Sequence, residues 1–168
     1  MAFNSSLTTL RPSAVKGQLV NGSIEYNTLP CRVVSQSTAT LTPGLAVKLV
    51  ADTASGYNNA VGEYGIDLAG PTDRIFGFVA LSLRKNSYVA GDTDVNVVIG
   101  GGGATQSIIR LEAAAAIAVG AYLEINSAGT KVLTSAGTNK IVGQALCSAG
   151  ADGDLVDVLV LTPLVAQL

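Results

Sequence analysis

The chain has 168 residues, with 10 Lys and Arg against 12 Asp and Glu, no histidine, and a formal net charge of −2 at pH 7. So balanced a charge draws it to neither nucleic acid nor anionic lipid, and the missing histidine removes the commonest general base and the usual zinc ligand. Charged residues make up 13% of the chain and hydrophobic ones 48%; typical domains carry about 25% charge, so this surface is expected to lie against other chains.

The opening stretch "MAFNSSLTTLRP" has neither a basic n-region nor an apolar core, so no secretory leader is expected and synthesis in a cytoplasm is. In the first 30 residues the hydrophobics Phe3, Leu7, Leu10, Val15, Leu19, Val20 and Ile24 stand isolated among polar and turn residues. That spacing reads as an extended N-terminal arm over 1–30, followed by a single β domain over 31–168. Cys31 and Cys147 are expected to be free thiols packing as small hydrophobes.

Beyond the arm, short runs of Val, Ile and Leu are separated by clusters of Gly, Asn, Asp, Ser and Pro. They predict strands near 32–36, 45–50, 74–81, 95–99, 107–111, 122–125, 131–133, 141–147 and 155–161. "VNVVI" and "LVDVLVL" alternate like half-buried strands, while "IFGFVAL" is apolar on both faces and is expected to be central. Residues 51–71 read as a long loop, 100–106 as a glycine-rich linker and "NSAGT" (126–130) as a hairpin loop. "LEAAAAIAV" (111–119) is the one helical stretch by propensity, yet it lacks a cap and runs into Gly120, so a turn or two of helix is the most expected. The longest apolar run, "AAAAIAVGAYL", falls short of the roughly 18 residues of a membrane span.

The chain also repeats itself. "TDRIFGFVAL" (72–81) returns as "TNKIVGQALC" (138–147), each preceded by a turn glycine and an alternating strand and followed by a Gly-Asp turn and a second alternating strand. Two copies, over 43–99 and 116–161, predict a duplicated three-strand unit and an all-β small barrel or sandwich with long loops. The strand glycines, Gly77 and Gly143, are expected to permit bulging or coiling where a small barrel bends.

Reactive chemistry is harder to find. "VVIGGGGATQS" lacks the Lys-Ser/Thr of a phosphate-binding loop and leads into a strand rather than a helix. Asp152, Asp154 and Asp157 lack the downstream glutamate of a calcium loop, and Asp152-Gly153-Asp154 reads as a β-turn. No catalytic, cofactor or metal residue is assigned, and an enzyme is not expected; one would need a concave pocket with convergent polar groups. Tyr57, Tyr64 and Tyr88 fall in or beside predicted loops and, with Phe3, Leu7 and Leu10 of the arm, are the candidate interface residues.

The stretch "AIAVGAYLEINSAGTKVLTSAGTNKIVGQALCSAGADGDLVDVLVL" (116–161) resembles the capsid decoration, or cement, proteins of tailed bacteriophages, and the likeness extends loosely back to residue 43. The shared phrase is a glycine, a hydrophobic strand, a Ser/Ala-Gly hairpin, Ile-x-Gly-x-Ala-Leu, a Gly-Asp turn and an alternating Val/Leu strand. The 51–71 insertion and the arm depart from plainer members. The resemblance implies a structural protein made in the host bacterial cytoplasm and placed on the outer capsid surface of the virion. There it would bridge neighbouring major capsid subunits as a homo-oligomer, most expectedly a trimer. It implies no nucleic acid, membrane or small-molecule partner. The alternative from the residues is another phage β module of the tail, fibre or receptor-binding kind.

Overall fold

The computed structural model describes residues 15–20, 28–53, 64–82, 84–100, 107–137 and 139–162. Among them the protein is all-β: β1 (Thr28–Val33), β2 (Ala46–Leu49), β3 (Tyr64–Leu68), β4 (Gly77–Val79), β5 (Val95–Val98), β6 (Ile108–Glu112), β7 (Tyr122–Ile125), β8 (Val132–Thr134), β9 (Gly143–Ala145) and β10 (Leu155–Val160). The alternation read from "LVDVLV" is realised residue by residue, with Val156, Val158 and Val160 buried and the residues between them half-exposed.

Strands β1-β3-β2-β4-β5 close into a barrel. Strands β6-β10-β9-β7-β8 form the second sheet, whose outer strands approach through one parallel bridge, Ala113 to Val132. The two orders are the same: going from β1 through β5, β4 and β2 to β3 matches going from β6 through β10, β9 and β7 to β8. The register agrees as well. Val47 pairs with Gly77 as Leu123 pairs with Gly143, and Phe78 pairs with Val98 as Gln144 pairs with Leu159. Even the parallel contact recurs, Val33–Ile66 in one unit and Ala113–Val132 in the other. The repeat is thus five strands long, where the sequence predicts three. Its outer members β1, β3, β6 and β8 share too few residue types to betray the likeness.

Each unit has its own apolar filling. Cys31, Leu41, Val47, Phe76 and Val97 are in the first barrel's cluster, and Leu111, Ile117, Leu123, Val142 and Val158 stand at the matching positions of the second. Turn glycines recur too: Gly44 and Gly120 at φ 79° and 80°, and Gly91 and Gly153 at φ 83° and 89°. A glycine tolerates this left-handed backbone without the Cβ clash other residues meet.

Three expectations are corrected. β3 lies inside the stretch predicted as loop. "YGIDL" carries Gly65 and Asp67, both poor strand formers, and becomes a strand because tertiary pairing supplies partners on both sides, β1 in parallel and β2 antiparallel. The 111–119 stretch forms no helix. Its backbone is claimed by distant strands, Ala113 N–H donating to the Asp154 carbonyl (2.8 Å) and Ile117 N–H to the Ala149 carbonyl (2.9 Å), and a nine-residue helix without a cap cannot compete. Lastly, β1 starts at Thr28 and ends at Val33, because the chain turns at once, Ser37 N–H donating to the Val34 carbonyl (3.0 Å).

The units share one seam. Ala46, Phe78 and Val98 on the outer wall of the first barrel belong to the same buried cluster as the interior of the second. Ala46 N–H donates to the Gly129 carbonyl (3.4 Å), Gly100 N–H to the Thr162 carbonyl (2.6 Å), and the Thr162 hydroxyl to the Ile75 carbonyl. Residues 15–20, the described piece of the predicted arm before β1, strap the seam. Gly17 N–H donates to the Arg110 carbonyl (2.7 Å), Arg110 N–H to the Gln18 carbonyl (2.9 Å), and Leu81 N–H to the Gly17 carbonyl (2.9 Å). Lys16 donates to the Thr130 carbonyl at 2.7 Å and lies 3.6 Å from Glu112; desolvation pushes its pKa down against the pull of that carboxylate.

Candidate functional site

Of the six candidate interface residues, Phe3, Leu7, Leu10 and Tyr57 lie outside the described residues. The structure separates the other two. Tyr88 bridges to Leu41 and is 2% exposed within the first barrel's core, its hydroxyl donating to the Lys85 carbonyl (3.3 Å). So buried a ring offers little surface, and that only towards the Lys85 side. Tyr64 begins β3 and is 45% exposed, its ring tilted 46° to Phe76 at 6.2 Å between centroids.

Three surfaces stand out. The first is the open mouth of the first barrel, a cavity of about 400 Å³ lined by Leu49, Arg74, Ile75 and Phe76, with Tyr64 against the Phe76 ring. The second is the outer wall of the second unit, where Val119 (66% exposed), Tyr122 (54%) and Leu146 (43%) leave apolar side chains in water. Sequence reasoning passed over Leu49, Val119, Tyr122 and Leu146, because alternation in a short strand does not say where a barrel ends or which wall is covered. The available signal was positional: set side by side, the repeats place Tyr122 at the position of Ala46, a bulky side chain for a small one.

The third surface is a polar cleft of about 890 Å³ lined by residues that include Arg84, Lys85, Tyr88, Asp92, Asp94 and Asn96. Lys85 meets Asp92 at 2.6 Å and sits 5.5 Å over the Tyr88 ring, and Asp92 also accepts from Val89 N–H (2.7 Å). The Lys85 hydrogen bond and then the Val89 N–H hold the Asp92 pKa below its ordinary value. A general base works best with a pKa near the operating pH, so this shift makes Asp92 a weaker base. Asp94 holds a left-handed backbone at φ 61°. The arrangement offers balanced charges suited to polar contact.

The acidic turn is also accounted for. Asp154 accepts from Gly150 N–H (2.8 Å) and Ala151 N–H (2.9 Å), Asp152 pairs with Lys131 (2.8 Å), and Asp157 takes a two-point grip from Arg110 (2.7 and 3.0 Å). Among the described residues no three metal-ligating side chains are gathered together.

The carboxylates of Asp73, Asp92 and Glu112 make stability depend on acid. Gly70 N–H and Lys48 lower Asp73, Lys85 and Val89 N–H lower Asp92, and Lys131 lowers Glu112 against the opposing effect of burial. A depressed carboxylate contributes stability above its unfolded pKa and loses it as pH falls through the lower folded value. Melting temperature is therefore expected to hold from pH 7 to about pH 5 and to fall below about pH 4. An Asp73→Asn, Asp92→Asn double variant should shorten that fall. A variant whose acid limb matches that of the parent would count against these pairings.

Compared with known proteins, the chain matches no model of a protein family, and no curated protein matches it significantly.

Proposed function

We propose that the protein is a structural component of a phage virion that binds the outer capsid surface and clamps neighbouring major capsid subunits. The observation that carries this reading is a charge-poor chain folded as a small barrel joined to a second five-stranded sheet, with apolar residues exposed on a wall and a rim. Such a body suits adhesion. An oligomer touching several capsid chains gains avidity, because every bridged site must break before a capsid subunit can leave. An extended arm adds backbone hydrogen bonds along a neighbouring strand edge. The sequence resemblance over 116–161 points the same way, and a homo-oligomer, most fittingly a trimer, is part of the proposal.

The test is to mix the protein with empty expanded shells and follow binding by co-sedimentation. A decoration protein saturates the shell at a fixed ratio. A tail, fibre or receptor-binding module does not bind it, and that result would replace the proposal. Deleting residues 1–12 stops short of the strap at 15–20, so the fold is expected to persist while shell binding weakens by roughly tenfold or more. Equal binding by the truncated chain would remove the arm from the proposal.

A further inference from the structure

In this chain the first barrel already stoppers the second unit. Ile125 stands at the end of β7, on the same face as Leu123, and is 2% exposed because the second unit's interior runs on into Ala46, Phe78 and Val98 of the first barrel's outer wall. By register, the first-barrel counterpart of Ile125 is Leu49, since Leu49 pairs with Ile66 as Ile125 pairs with Val132. Leu49 is 51% exposed and lines the open mouth beside Phe76. The wall shows the converse. Ala46 pairs with Phe78 and is covered, whereas its counterpart Tyr122 pairs with Gln144 and is exposed. Each of these cross-strand pairs carries one aromatic ring, placed on β4 in the first unit and on β7 in the second.

Among the described residues the molecule thus ends in two surfaces of one kind of interface, a mouth without its stopper and a wall without its mouth. We infer that the occupant of each is a second copy of this chain: the Tyr122 wall of one copy closes the Leu49 mouth of the next, repeating between chains the packing within the chain. Such contacts are head-to-tail, and they close into a ring when the rotation per step allows. For the trimer of the proposed function, that ring would have six five-stranded units, three of them closed barrels. The inference rests on the homo-oligomer in that reading and not on the capsid, so its test uses the isolated full-length protein, and the shell assay can fail without deciding it.

The experiment is sedimentation of Tyr122→Asp, Leu49→Asp and their equimolar mixture. The parent is expected to sediment as a multiple of 16.9 kDa. Each variant should self-associate roughly thirty-fold or more weakly and run as a monomer, with the parent's circular dichroism. The mixture should form a pair and stop there, because one intact wall meets one intact mouth. A monomeric parent at high concentration, a single variant that keeps the parent's mass, or a mixture that stays monomeric would each overturn the inference. If Tyr122→Asp fails to fold, Leu146→Asp on the same wall takes its place.

Discussion

Replacing Asp52 by alanine is expected to destabilise the protein by about 3–5 kcal/mol, the usual cost of removing one partner from a buried ion pair. Arg32 lies on β1 and is buried, and its guanidinium is paired with the buried Asp52 carboxylate just beyond β2. Asp52 also accepts from the Ser35 N–H (3.2 Å) and the Ser35 hydroxyl (2.6 Å), so one carboxylate ties β1, the turn after it and the end of β2 together. Removing it takes the Asp52 carboxylate away from a guanidinium held in low dielectric. For a chain of this size the melting temperature should drop by roughly 6–20 °C. The companion variant is Arg32→Met with Asp52→Leu. Replacing both charges with apolar groups removes the desolvation cost along with the attraction, so the double variant is expected to lie much closer to the parent. If Asp52→Ala melts within about 2 °C of the parent, the pair is not holding the barrel.

Gly143→Ala is expected to cost about 3 kcal/mol, as overpacking does in a filled core, and Gly77→Ala a similar amount. A Cβ on Gly143 would come within 2.4 Å of Val158 Cγ1 and 2.6 Å of the Leu159 carbonyl oxygen; one on Gly77 would come within 2.3 Å of the Val98 carbonyl oxygen and 2.7 Å of Val97 Cγ1. In both units the obstacle is the neighbouring strand, β10 or β5. Close approach to that strand calls for the glycine in each Ile-x-Gly phrase, where the sequence suggested bulging or coiling. Gly153 is the control. A Cβ there meets nothing within 4 Å, so Gly153→Ala carries only the strain of φ 89°, roughly 1–2 kcal/mol. Urea denaturation should therefore rank Gly143→Ala below Gly153→Ala in stability. The reverse order would mean that the strand glycines are conformational rather than steric.

The sequence by itself determined the strands that alternate over several residues. β5 and β10 stand almost where "VNVVI" and "LVDVLVL" place them, because a half-buried strand writes its two faces into every second residue. It also determined the repeat of β2, β4 and β5 in β7, β9 and β10, since turn glycines and tight strand glycines admit few substitutes. Only the tertiary structure decided the rest. β3 is a strand because β1 and β2 hydrogen-bond to it, despite Gly65 and Asp67. The alanines after β6 form no helix because distant carbonyls take the N–H groups of Ala113 and Ala114. Tyr64 and Tyr88 look alike in the chain, and one ends on a rim while the other fills a core. Which wall is covered and which is bare depends on where the two sheets meet, and local pattern carries no record of a contact between residues so far apart in sequence.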